Sequence, residues 1–145
     1  APGTPVTIEA FAAGAWTPVA STTLAADGSF RVATPALKAT ASLRARLGDG
    51  ISPTLDVPVS PKVTITRKGE RSIAVKVVPA RAGKAQLERF NLDSFRWIVA
   101  RKARITAAGR ATIAVPKPEG RYRVTVLATK VLESGSSAAL TFRKG

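Results

Sequence analysis

The chain contains no cysteine, no histidine and no methionine, and each absence removes a class of chemistry. Without Cys there is neither a disulfide framework nor a thiolate nucleophile. Without His no Ser–His–Asp triad can be assembled. With both missing, zinc loses its ordinary ligands. The nine acidic residues are scattered, mostly in turns, and form neither a calcium loop nor an evident carboxylate pair. No G-x-x-x-x-G-K-S/T phosphate loop occurs. A Ser–Lys pairing remains formally open, but no Ser stands in a strained elbow motif. We therefore expect no enzyme, no metal and no cofactor. No apolar run approaches the roughly 20 residues of a membrane-spanning helix. The lack of an initiator Met suggests a processed product or an excised piece. The start Ala1-Pro2-Gly3-Thr4-Pro5 is compatible with a removed export signal or with a boundary set by proteolysis.

What is present suits a folded protein. Hydrophobic residues make up 45% of the 145, ample for a core. The net charge is +14 and lies entirely in the second part. Residues 1–59 balance four basic side chains (Arg31, Lys38, Arg44, Arg46) against four acidic ones (Glu9, Asp27, Asp49, Asp56). Residues 60–145 hold 19 basic residues against five acidic ones. Two units with different electrostatic roles are implied.

An internal repeat organises the chain. Residues 16–35, WTPVASTTLAADGSFRVATP, align without a gap on residues 97–116, WIVARKARITAAGRATIAVP. Trp16 meets Trp97, Gly28 meets Gly109 and Pro35 meets Pro116. Upstream, Ile8-Glu9-Ala10-Phe11 matches Leu87-Glu88-Arg89-Phe90; downstream, Leu43-Arg44 matches Tyr122-Arg123. Apolar residues alternate with polar ones at period two, as in Ile73/Val75/Val77 and Tyr122/Val124/Val126, between turns rich in Gly, Pro and Asp. The expected fold is all-β: tandem immunoglobulin-like β-sandwich modules, over 1–59 and 60–145. Seven strands are predicted in the second module, with Trp97 as a core anchor. The first module has no counterpart of strands 62–66 and 71–78. It is a fragment of a longer array, a reduced module that folds alone, or a filament subunit completed by a neighbour's strand.

The pattern resembles a known family. Its residues are Val6 to Phe11, Trp16, Thr22-Thr23, Ala26 to Phe30, Leu43-Arg44 and Ser52, repeated as Gln86 to Phe90, Trp97, Ala108-Gly109, Tyr122-Arg123 and Ser137. They are similar to the tandem immunoglobulin-like or fibronectin type III-like repeats of secreted and surface proteins from high-GC bacteria. The resemblance implies export and a stalk, spacer or adhesive role among neighbouring modules or subunits, with no catalytic residues to carry over. The Asp27-Gly28-Ser29-Phe30 turn also resembles sandwiches that cross-link Lys to Asn. The only Asn, Asn91, has no matching Asn in a final strand, which argues against an isopeptide.

Two candidate contact surfaces follow. With Tyr122 and Val124 inward, and with Trp97 and Val99 inward, Arg96, Lys102, Arg104, Arg121 and Arg123 are expected on one outward face. Lys62, Lys68, Lys76 and Arg110 would add to the same field. Such a face attracts anionic cell-wall polymer or another polyanion; the alternative is a set of solvated strand faces with long stems covering the sheet. Two loops are longer in the second copy. They offer Leu92 and Phe95, and Lys130, Val131 and Leu132, as partner contacts, or else serve module packing. No small-molecule substrate is expected.

Overall fold

The computed structural model describes residues 1–143. The chain divides into two compact units, Ala1–Val59 and the part from Ser60 on. Every regular element among the described residues is a strand.

The second unit holds β6 (Lys62–Arg67), β7 (Ser72–Val78), β8 (Gly83–Asn91), β9 (Arg96–Ile105), β10 (Arg110–Ala114), β11 (Gly120–Val126), β12 (Gly135–Ser136) and β13 (Leu140–Phe142). One antiparallel sheet runs β10–β7–β6. The other runs β12–β11–β8–β9, and β13 continues the broken last strand along β11. Three strands thus face four in the arrangement of an immunoglobulin-like sandwich. The period-two pattern explains the layers. Ile73, Val75 and Val77 from the small sheet meet Ala85, Leu87, Tyr122, Val124 and Phe142 from the large one in a single buried cluster. Tyr122 is fully buried, and its hydroxyl donates a 2.9 Å hydrogen bond to the Lys117 carbonyl, closing the corner that leads into β11.

The first unit holds β1 (Pro5–Ala12), β2 (Ala15–Thr23), β3 (Ala41–Leu47), β4 (Gly50–Ile51) and β5 (Leu55–Val57). They make one sheet, β2–β1–β3–β4, with β5 also on β3. This is the order of the large sheet of the second unit, and even its irregularity is shared. A β-bulge falls between Ile8 and Glu9 in β1 and between Leu87 and Glu88 in β8. No facing sheet exists among the described residues of this unit. The stretch equivalent to β10, residues 29–33, forms no strand. Its pairing partner in the second unit is β7, which has no counterpart here.

The missing layer changes burial at matched positions. Leu47 is 38% exposed where Val126 is 7%. Phe30 and Leu55 are exposed, whereas Val6, Ile8 and Ala10 of the central strand remain buried.

Candidate interaction surfaces

On the outward face of the large sheet both units carry the same side-chain clasp. The regular β1–β3 and β8–β11 registers set Glu9 opposite Arg44 and Glu88 opposite Arg123. Arg44 Nε donates to Glu9 Oε2 at 2.7 Å, and Arg123 Nε donates to Glu88 Oε2 at 2.6 Å. Each guanidinium also lies over the indole of the hairpin strand: Arg44 is 4.0 Å from the Trp16 ring centre and Arg123 is 4.4 Å from that of Trp97. Phe11 and Phe90 pack on these indoles, each with ring centres 5.3 Å apart. The fifth component differs. Arg46 reaches Glu9 at 3.5 Å in the first unit, while the Thr125 hydroxyl donates to Glu88 at 3.0 Å in the second.

A second repeated device fixes the last strand. Ser52 and Ser137 accept hydrogen bonds from the Ala45 and Val124 amides at 2.8 and 3.0 Å. They donate to the carbonyls of Pro53 and Ala138 at 2.9 and 2.8 Å. Two units that agree in strand register, bulge, ion pair and hydroxyl bridge are two copies of one design.

No family profile matches the chain, and no curated protein matches it. Among solved structures it is similar to a two fibronectin type III domain segment from chicken tenascin. The identity is 16%, the TM-score 0.40, and the match covers 94% of this chain and 83% of that one.

The clasp corrects the expected place of Trp97. It pairs with Phe90 on the outward face and is half-buried beneath Arg123. The bulge shifts the alternation of the first half of β9, so Trp97 and Val99 share the face of Glu88. For the same reason Arg96, one residue from Trp97, belongs to the opposite face. Arg123 does point outward, but its charge is taken up by Glu88.

The remaining basic residues do not form one field. Lys62, Lys76 and Arg110 lie on the small sheet, and Lys68 lies in its turn. On the large sheet Lys102 and Arg104 point outward and stand opposite Gln86 and Lys84. Lys84, Gln86, Lys102 and Arg104 line a cleft of about 570 Å³ with Leu127 at its end. Arg121 is exposed near the other end of β11, beside Thr141. Sequence reasoning missed Lys84, although its alternation with buried Ala85 and Leu87 signalled an outward position. At the equivalent rungs the first unit has Pro5 opposite Thr23 and Thr7 opposite Ser21. The cationic cleft is therefore particular to the second copy.

The two long loops behave differently. Leu92 and Phe95 are 73% and 77% exposed, on a turn in which the Asn91 side chain accepts from the amides of Asp93 and Ser94. Phe95 has a φ of 51°, a left-handed conformation uncommon for an aromatic residue. Lys130 and Val131 are exposed at the other loop tip. Leu132 is not available for contact: it is buried at the end of the sandwich near Pro61, Val77 and Pro79. Thr129 folds the loop back by accepting from the Leu132 amide, so the apolar side chain turns inward. At the Asn91 end the Nε of Arg89 is buried with no hydrogen-bond partner among the described residues. Metal-holding groups of His, Cys, Asp and Glu are absent among those residues.

Proposed function

We propose that the chain is a pair of non-catalytic structural modules from a tandem array, acting as stalk, spacer or adhesive repeat in an extracellular bacterial surface assembly. The observation that carries this reading is the duplicated clasp. Chemistry-bearing side chains that recur in both copies pair with one another across adjacent strands, as Glu9 with Arg44 and Glu88 with Arg123. They stiffen a sheet, and the charges of these two pairs are engaged with each other. The four residues joining β5 to β6 include Pro58 and Pro61, which restrict the junction. Small-angle scattering of chains carrying one, two and three copies of residues 1–145 tests it. A maximum dimension that grows in proportion to copy number is expected; compact particles of nearly constant dimension would rule out a stalk.

The Lys84–Lys102–Arg104 cleft supports a second reading, polyanion binding by the second unit. Three phosphate contacts would weaken binding to duplex DNA, used as a generic polyanion, by about 40-fold between roughly 50 and 200 mM salt. The K84Q/K102Q/R104Q variant should flatten that slope. No binding at the lower salt would remove this reading.

A further inference from the structure

One rung of the large sheet differs sharply between the copies. In the first unit it reads Thr17–Ala10–Leu43 across β2, β1 and β3. In the second it reads Ile98–Arg89–Tyr122 across β9, β8 and β11. Residues directly opposite on adjacent strands share a face, and Tyr122 is wholly buried, so Arg89 and Ile98 stand on the core side of the sheet. An arginine thus occupies the place of a buried alanine. Gly120 makes room for it: a Cβ there would lie 2.9 Å from Arg89 Nε, and the matching residue of the first unit is Ala41. The first copy builds the same sheet with alanine at both positions, so the architecture does not require Arg89.

This cation is unanswered within the fold. Its Nε is buried without a hydrogen-bond partner, and no ion pair among the described residues includes Arg89. A buried donor left unpaired is costly. Arg89 borders a cleft of about 230 Å³ walled by Ile98, Ala100, Pro116 and Tyr122. Ile98 is 48% exposed, so part of this apolar wall is open to solvent. No Asp or Glu lines the cleft, but Lys117 and Asn91 do. The Asn91 side-chain oxygen is committed to the Asp93 and Ser94 amides, which leaves its amide nitrogen as a donor.

We propose that this cleft binds a carboxylate carried on a short apolar body, with the Arg89 guanidinium as its anchor. The lining sets the ligand class. A planar guanidinium matches the two oxygens of a carboxylate, and Asn91 and Lys117 add donors. The walls receive an aromatic or branched aliphatic group. A second cleft bordered by Arg89 and Arg121 also contains Asp93, whose charge opposes an anion. Two sources carry the favoured chemistry: the C-terminal apolar residue of a protein, and a free apolar acid. The site is additional to both readings above and depends on neither.

The test titrates the 145-residue chain with N-acetyl-phenylalanine, its C-terminal amide, 3-phenylpropionate and acetate, each to about 10 mM. Binding is followed by NMR shifts of Arg89, Ile98, Ala100 and Tyr122. Both apolar acids should bind at least about tenfold more tightly than the amide and than acetate. The tighter of the two names the source, the acetylated residue for a protein C-terminus and phenylpropionate for a free acid. Arg89→Ala, which installs the first copy's residue, should weaken binding at least about tenfold and raise the urea midpoint of the second unit, because an unpaired buried donor is gone. K102Q, in the other cleft, should leave binding unchanged. Absence of binding, equal affinity for acid and amide or for phenylpropionate and acetate, or equal effects of R89A and K102Q would overturn the proposal. So would a lower urea midpoint in R89A, the mark of a structural arginine. The comparison of acid with amide needs no variant, so it decides even where R89A fails to fold.

Discussion

Tyr122 and Arg123 are neighbours with opposite duties, one sealing the core and the other clamping the outer face. Removing the Tyr122 hydroxyl strands the Lys117 carbonyl at the corner while leaving the ring against Phe142. Y122F should cost about 0.5–1.5 kcal/mol in urea unfolding of the second unit, with little change in the near-ultraviolet spectrum. Arg123→Ala removes a charged hydrogen bond and uncovers Trp97, and it should cost about 1.5–3 kcal/mol. Arg44→Ala should act similarly on the first unit, where it leaves the more deeply buried carboxylate of Glu9 with only the longer contact to Arg46. A loss near zero at both arginines would mean that the clasp is ornament. At this scale the sequence was legible where alternation was regular: Tyr122 inward, Arg121 outward and Lys102 outward follow from period two alone. It was misread where a bulge intervened. Nothing in Leu87-Glu88 marks an inserted residue on the partner strand, so unbroken alternation would put Trp97 in the core, where buried indoles commonly lie.

Elements reveal what the absent layer does. Gly28 and Gly109 are matched turn residues with φ of 78° and 70°, a conformation in which a side chain costs about 1–2 kcal/mol. Around Gly28 nothing lies within reach of an added Cβ. At Gly109 that Cβ would come within 2.6 Å of the Val77 carbonyl, at the end of β7. Gly28→Ala should therefore cost only the conformational term, whereas Gly109→Ala should cost more and slow refolding of the second unit. Equal losses at the two sites would contradict this account. The strands expected at 62–66 and 71–78 from turn signals correspond to β6 and β7. The failure of residues 29–33 to form a strand was not readable, because Phe30-Arg31-Val32 alternates as well as Ile113 and Val115 do. A strand needs a partner, and its partner lies outside its own sequence.

For the whole molecule, the charge asymmetry and the duplication were both visible in residue order, and the positions of the excess cations were not. Neutral rungs in the first copy became Lys84–Arg104 and Gln86–Lys102 in the second without disturbing the residues beneath them. A one-layer unit exposes apolar side chains that a two-layer unit buries. Denaturant unfolding monitored by hydrogen exchange should accordingly show the amides of β3 released at lower urea than those of β11. Simultaneous release would mean that the first unit draws its stability from something other than its own layer.

The survival of the β1–β2–β3 sheet without an opposing layer bears on how the complete copy assembles. If that half can close on its own hairpin, bulge and clasp, then in the second copy β8, β9 and β11 can be organised at the folding barrier while β6 and β7 are still undocked. Φ-values should then be high for Leu87→Ala and low for Val63→Ala. The order of events in one copy would be written in the architecture of the other.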